Sequence, residues 1–421
     1  MKTAFYGVSM WKSVFDKMVT QLIQEGQLSV TYPDKDTRVY GRKGSNAGQA
    51  AISLTTHATL RALCLRPELA MGESYMDGTF VVAEDDIEGL LGLLLRNRRP
   101  DAFPVWVRIV EKIRFAVRSF LTKNNLRKSR QNVAHHYDIS DDLYRLFLDE
   151  DMQYSCAYFS DPDMSLEDAQ KAKKAMIAAK LLIKPGMRVL DIGCGWGGMA
   201  LTLARDYGAH VTGVTLSRNQ LATAKARAKE AGLEDQTEFR LMDYRELNEK
   251  FDRIVSVGML EHVGMPHYRE YFAQVANLLS QEGVALIHTI GRTSPPMSQS
   301  PWINKYIFPG GYVPSLSELA PAVEESGLWT LDLEIWRLHY AKTLRIWRQR
   351  FDANIDIVRQ SYDERFIRMW RYYLTACYMA FEEQHQAVFH FQMGHQRDAA
   401  PLTRDYLYRQ GTGKSELEAA E

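Results

Sequence analysis

From Lys184 onward, short apolar runs alternate with longer amphipathic stretches. Residues 187–192 are largely apolar and end in glycines, and residues 210–216, 238–241, 253–257 and 284–290 also read as strands. Residues 198–207 and 218–231 have helical spacing between them. This alternation predicts an α/β fold, a mostly parallel sheet with helices on both faces. A Ser/Pro-rich loop spans 292–301. Beyond Lys342 the pattern is helical and aromatic. Leu344, Trp347, Phe351, Ile355 and Val358 form one stripe, and Phe366, Trp370, Tyr373, Cys377 and Phe381 another, which predicts a helical C-terminal cap.

Residues 1–95 form a separate, smaller α+β unit. It holds a short-strand pattern around Ala50 to Leu54, a glycine-rich turn at Gly41-Arg-Lys-Gly44, and the stretch from Met71 to Gly78. Residues 96–130 differ: eleven Lys/Arg face two acids, Asp101 and Glu111. Phe103, Trp106, Val110, Ile113, Val117 and Phe120 recur at steps of three and four, with Arg108, Lys112, Arg114 and Arg118 on the other side. The segment reads either as a membrane-surface helix or as an interdomain helix whose apolar face is core. The expected organisation is 1–95, a linker helix over 96–130, a larger domain with its cap over 131–400, and a loose tail over 401–421.

Composition adds exclusions. Of 421 residues, 52 are Lys or Arg and 52 Asp or Glu, so net charge offers no global attraction to nucleic acid. Cys64, Cys156, Cys194 and Cys377 lie far apart without a CxxC pair, against a zinc site or a disulfide scaffold; no metal is expected. The longest apolar run, Gly89 to Leu95, is too short to span a bilayer. The expectation is a cytoplasmic protein.

The strongest local motif is Val189-Leu-Asp-Ile-Gly-Cys-Gly-Trp-Gly-Gly198. Gly193, Gly195 and Gly198 fit G-x-G-x-x-G, which alone suggests a dinucleotide. Asp191, just before the turn, would repel a pyrophosphate but suits an ammonium group. The strand over 210–216 ends without the acid that grips an NAD ribose. S-adenosylmethionine (SAM), cationic and without phosphate, fits better. Thr215, Ser217, Asn219 and Gln220 offer hydroxyl and amide groups for a ribose. Asp243 and Tyr244 are candidates for the adenine amino group and for stacking, or else a turn cap and a partly exposed aromatic.

Glu261, His262 and His288 follow or end strands, where a parallel sheet lines its ligand crevice. At this point the chain closely resembles the cyclopropane-fatty-acyl-phospholipid synthases over about residues 40–395. The resemblance rests on Ala134-His-His-Tyr-Asp-Ile-Ser140, Gln153-Tyr-Ser-Cys-Ala-Tyr158, the 189–198 loop, Glu261-His-Val-Gly264, His288-Thr-Ile-Gly291 and Pro301-Trp-Ile-Asn-Lys-Tyr-Ile-Phe-Pro309. It implies a SAM-dependent C-methyltransferase with a Rossmann-like fold. Such an enzyme moves the SAM methyl to a cis double bond of a phospholipid acyl chain and closes a cyclopropane ring. A methylene- or methyl-branched product is the alternative.

The resemblance also implies a bound bicarbonate as base, held by Cys156, Glu261, His288, Tyr340 and the Ile290 backbone, with a raised pKa expected at Glu261. It adds Cys377 as an active-site residue. Tyr154, Ser155 and Gly197 join Asp191, Gly193, Gly195, Thr215, Gln220, Asp243 and Tyr244 at the SAM site. A carbocation-like centre on the lipid calls for a dry tunnel, with Trp302, Tyr306, Phe308, Trp370 and Tyr373 as candidate aromatics. The N-terminal unit is expected to engage lipid, and the protein to be a homodimer, peripheral on the inner face of the cell membrane. Relatives often have Phe where Leu260 stands; if that position lines the tunnel, its width differs.

Overall fold

The computed structural model describes residues 2–42, 48–122 and 140–408. The motif from Ala134 lies outside the described residues except for Ser140, as do part of the Gly41 turn, the end of the basic segment and the tail from Gly411.

The N-terminal unit is built on helix α1 (Lys2–Leu22) and strands β1 (Gly26–Thr31), β2 (Thr37–Arg42), β3 (Gln49–Leu54) and β4 (Phe80–Val82). The sheet order is β2-β1-β3-β4; β1 and β3 are parallel and the other pairs antiparallel. Phe15, Met18, Val19 and Leu22 recur on one face of α1 and are buried. Helices α2 (His57–Leu65), α3 (Pro67–Met76) and α4 (Ile87–Arg96) complete the unit. Thr56 and Asp86 cap α2 and α4 by accepting from Thr59 N and Gly89 N.

The basic segment departs from the single long helix expected. Pro104 occupies the N-cap position, so α5 begins at Val105 and runs only to Ala116; a separate turn follows at Arg118–Leu121. Ala102 and Phe103 join the core, but the apolar side chains of α5 do not. Val105, Ile113 and Phe120 are 64%, 56% and 78% exposed, and no residue of α5 is buried. Arg114 and Arg118 are not merely solvated. Arg114 donates to the Gln299 carbonyl at 2.6 Å, and Arg118 pairs with Glu318 at 3.3 Å.

The larger domain carries seven strands: β5 (Arg188–Ile192), β6 (His210–Thr215), β7 (Thr237–Leu241), β8 (Phe251–Val257), β9 (Leu279–Arg292), β10 (Trp329–Trp336) and β11 (Gln386–Gly394). Their order is β10-β11-β9-β8-β5-β6-β7. The five strands β9-β8-β5-β6-β7 are parallel, while β11 runs antiparallel to both β9 and β10. Successive side chains feed opposite faces. Val189, Val211, Val255 and Leu286 pack with helices α6 (Leu166–Lys180), α7 (Gly198–Tyr207) and α8 (Arg218–Glu230). Leu190, Ile192, Val214 and Ile254 pack on the other face with α9 (Tyr268–Leu278) and α10 (Leu316–Glu324). The α/β reading is therefore what the structure shows.

The C-terminal region is only partly helical. Helix α11 (His339–Ala353) carries the first stripe only to Phe351, with Ile355 and Val358 on a separate turn at Ile355–Val358, and α12 (Glu364–Glu383) carries the second; β10 and β11 flank them and return to the sheet. In β11, Val388, Phe389, His390, Phe391 and Gln392 are all buried because both faces of the sheet are covered. Helix α12 packs on α3 and α4, joining the two domains: Arg96 of α4 pairs with Glu383 at 2.8 Å, and Arg365 with Asp77 at 2.7 Å.

Candidate active site

The strand order reverses direction beside β5, so the crevice beyond the ends of β5 and β8 is the place where such a sheet takes a ligand. Asp191 is the penultimate residue of β5 there. It is 2% exposed, and its Oδ2 has no hydrogen-bond partner among the described residues. Burial raises its pKa to about 7, opposed by the Lys173 ammonium. An orphaned carboxylate at this position suits a cationic group that enters with a ligand. Gly193, Gly195 and Gly197 all have positive φ. At Gly197 (φ 84°) a Cβ would meet the Phe239 ring at 2.9 Å, whereas at Gly195 (φ 53°) it would meet nothing within 4 Å. The loop is thus tight on its protein side and open on the other.

Thr215, ending β6, donates to Gln220 Oε1 at 3.0 Å, and Ser217 caps α8 through Gln220 N. These side chains meet one another. Asp243 caps the turn at Tyr244–Glu246 and holds Arg245 at 2.8 Å. Tyr244 is buried, its ring edge-on to Tyr271 at 5.3 Å, rather than a partly exposed aromatic. The Gln153–Cys156 loop is tied down by Lys173, a fully buried lysine of α6. Its ammonium donates to Gln153 Oε1 at 2.6 Å and to Ser155 Oγ at 2.8 Å, and burial lowers its pKa to about 8. Tyr154 stacks on Trp347 at 5.2 Å, and its hydroxyl lies 2.8 Å from that of Tyr373.

A cavity of about 590 Å³ begins at this loop. Tyr154, Ser155, Gly258, Glu261, His288 and Tyr340 border one end. Its walls are then Tyr373, Ala376, Cys377, Ala380 and Phe381, spaced along one face of α12. The other end lies within the N-terminal unit, against Phe15 and Met18 of α1 and Leu91 and Leu94 of α4. Phe103, Val107, Val110 and Arg114 border it from the linker.

Glu261 sits at the start of the short helix Leu260–Val263 after β8. Its Oε1 accepts the Ile290 N–H at 2.5 Å, and its Oε2 is buried without a partner among the described residues. Burial raises its pKa to about 7, in the direction expected. The Ile290 N–H is thus held by Glu261. Cys156 is buried and does not border the cavity. Its thiol donates to the Ala157 carbonyl at 3.3 Å, and desolvation pushes its pKa well above the usual thiol range. Cys377 does border it, with its thiol raised to about 12, which fits an inert side chain better than a nucleophile. His262 also borders it. Its ring lies 5.6 Å from Phe308 in an edge arrangement, and burial lowers its pKa to about 4.

Of the aromatics singled out for the tunnel, Trp302, Phe308 and Tyr373 line the cavity. Trp370 is instead core, packed on Phe147 and Phe366, and the Tyr306 hydroxyl donates to Glu73 at 3.1 Å. Leu260 is fully buried in the cluster with Val263 and Tyr268, so it does not set tunnel width. The sequence reading did not single out Lys173, Lys180 or His390. The available signal was the seven-residue spacing that puts Lys173 and Lys180 on one side of an alanine-rich helix.

Among the described residues no helix is long and apolar enough to cross a membrane, and no cluster of metal-binding side chains occurs. The four cysteines are free.

Residues 124–391 match the family described as "Mycolic acid cyclopropane synthetase", and residues 11–100 match a domain of unknown function. The chain is 44% identical over 320 residues to the cyclopropane-fatty-acyl-phospholipid synthase of Escherichia coli K12, covering 74% of this chain and 79% of that protein. It is 39% identical over 298 residues to a probable fatty acid methyltransferase of Pseudomonas putida, covering 67% and 75%. The crystal structure of the mycolic acid cyclopropane synthase CmaA1 complexed with SAH and CTAB aligns with a TM-score of 0.60 at 35% identity, over 63% of this chain and 97% of that one.

Proposed function

The chain belongs to the mycolic acid cyclopropane synthetase family and is a SAM-dependent methyltransferase, and we propose that it converts cis-unsaturated acyl chains of membrane phospholipids into cyclopropane acyl chains. One observation carries this reading: the apolar cavity runs from the N-terminal unit to Glu261 and His288, beside the loop that holds Tyr154 and Ser155. An acyl chain threaded through it presents a mid-chain double bond at the polar end.

When bound, SAM supplies an electrophilic methyl group. Asp191 is suited to its ammonium, Thr215 and Gln220 to its ribose, and Asp243 and Tyr244 border the position proposed for the adenine. The glycines at 193, 195 and 197 leave room for close approach. An alkene is a weak nucleophile, so this chain's part is to hold it in near contact and exclude water. The walls contributed by Trp302, Phe308 and Tyr373 keep the centre dry, and their π faces favour the positive charge that develops on the acyl chain.

Ring closure requires loss of a proton from the transferred carbon. A bound bicarbonate supplies a small base for it. Glu261, His288 and Tyr340 border the place where it would sit, and the partnerless Glu261 Oε2 fits such an anion. Burial raises its pKa to about 7, so a protonated Glu261 is within reach near neutral pH and can donate a hydrogen bond to the anion. Cys156 supports the loop from behind, and Cys377 shapes the wall.

The substrate lies within a bilayer. The exposed apolar side chains of α5, flanked by the exposed Arg108 and Lys112, support docking to an anionic inner membrane surface as a peripheral protein. Family resemblance adds a homodimer, which light scattering measures. The test is incubation with cis-unsaturated phospholipid vesicles and methyl-labelled SAM, with products identified by mass and proton NMR. A cyclopropane CH2 resonance far upfield supports the reading; labelled methylene-branched chains would replace it, and unlabelled lipid would refute it.

A further inference from the structure

Three strands place one side chain each in a single row. In the sheet register Glu334 of β10 stands opposite His390 of β11, and His390 stands opposite His288 of β9. Directly opposed residues point to the same face, so the row is continuous. His390 Nε2 lies 2.8 Å from His288 Nδ1. Lys180, the last residue of α6, closes the remaining gap: its Nζ is 3.0 Å from His390 Nδ1 and is paired with Glu334. His288, His390 and Lys180 are each 1% exposed, whereas the Glu334 side chain is 14% exposed. Trp336 covers the row, its ring 4.0 Å from that of His390 and its N–H donating to Glu334 at 2.8 Å.

We propose that His288, His390, Lys180 and Glu334 form a proton relay that carries the product proton from the reaction centre to the outer edge of the sheet. The relay rests on the cyclopropanation reading, because that reaction releases one proton per turnover in a largely apolar cavity. The C–S bond of the donor breaks as a C–C bond forms. A C–H bond of the transferred carbon then breaks, and its electron pair closes the ring. The proton taken up by the base at the centre passes to His288 Nε2. His288 Nδ1–H passes its proton to His390 Nε2, and His390 Nδ1–H passes its own to Lys180 Nζ. As it arrives, the Lys180 ammonium gives one of its own protons to the Glu334 carboxylate, which releases it to water, so Lys180 ends as it began and one proton leaves.

Burial favours neutral histidines, lowering the pKa of both well below 6.5, and it makes the Lys180 ammonium readier to give up a proton. The other charged or titratable groups facing the row act on its ends. Lys173 faces it from α6 and His339 from α11, while Asp332, Arg404 and Tyr406 surround the outer end. Arg404 is held by Asp332 at 2.6 Å, which leaves Glu334 as the acceptor for Lys180.

His390→Phe and Glu334→Gln in the full chain, assayed on cis-unsaturated vesicles with SAM, test the relay. His390→Phe should bind SAM normally yet lose roughly 10- to 100-fold in kcat, with KM for SAM unchanged. Part of its methylated product should become olefinic, because the cation sheds a different proton. Glu334→Gln, isosteric and at the outer edge, should slow turnover severalfold and displace the kcat–pH profile. In the protein without ligands, imidazole 15N spectra should show an N–H shared between His288 and His390 that is absent from His390→Phe. Wild-type kcat, pH profile and product in both folded variants would overturn the relay. If His390→Phe does not fold, Glu334→Gln and the spectrum of the unaltered protein decide. An unaltered chain that methylates no lipid would overturn the reaction itself, and the relay with it.

Discussion

Glu261 and Ile290 are joined across the ends of two parallel strands: the Ile290 N–H donates to Glu261 Oε1 at 2.5 Å, and Oε2 is left buried without a partner among the described residues. One oxygen fixes the side chain and the other is available for chemistry. Glu261→Gln preserves the shape but removes the titrating group. It should lower kcat roughly 100-fold or more while leaving SAM affinity nearly unchanged. Steady-state kinetics and calorimetry on the same preparation check this; equal losses in both would make Glu261 a structural residue.

Asp191 has its pKa raised to about 7 from 3.8 by burial. The folded, ligand-free protein therefore holds a proton that the unfolded chain releases. The stability this lends is complete below about pH 4 and is lost as pH rises through about 7. The SAM ammonium favours the ionised carboxylate, so SAM affinity should rise roughly tenfold per pH unit below that value and level off above it. Asp191→Asn should flatten the dependence. A calorimetric titration series measures both, and a wild-type affinity independent of pH would remove Asp191 from the ammonium site.

On the linker helix, Arg114 and Arg118 hold it to the larger domain, whereas Arg108 and Lys112 are exposed. Replacing Arg108 and Lys112 with Gln should weaken binding to anionic vesicles by about 2 kcal/mol in all. Neutral vesicles should be affected little, whereas Ile113→Ser should weaken binding to both. Vesicle sedimentation gives the comparison; unchanged partition in every variant would argue that this face does not meet the bilayer.

The far end of the cavity lies in the N-terminal unit, where Leu94 borders it. Leu94→Trp should shorten the space available to a chain. Turnover of long-chain phospholipids should fall relative to short-chain ones, with little change in SAM affinity. Competition between lipids of two chain lengths, read by mass, tests this. An unaltered ratio would place the chain end elsewhere.

Exhaustive removal of carbonate from the buffer should slow ring closure, and its return should restore the rate. An unaffected rate would leave His288 to take the proton without a bound ion.

Some of this was legible along the chain because its cause is local. The β5 loop announces itself through Asp191 and the glycines, since a strand that must turn sharply beside a ligand needs those residue types within a few positions. The parallel strands and their helices follow from periodicities of two and 3.6 residues. The aromatic faces of α11 and α12 were readable in the same way, but β11 was not. A strand covered on both faces looks like any other apolar run, and its partners, β9 and β10, are distant in sequence.

The chain's pattern alone thus determined the five parallel strands of the sheet, their helices and the glycine-rich turn after β5. Tertiary structure alone decided what surrounds the reaction. It turned the Ile290 N–H onto Glu261, set Cys156 back from the cavity, and left the apolar side of α5 exposed. It also joined N-terminal helices to the larger domain as a single tunnel and aligned Glu334, His390 and His288. These outcomes depend on contacts between residues remote in sequence, whose burial and charge no local spacing encodes.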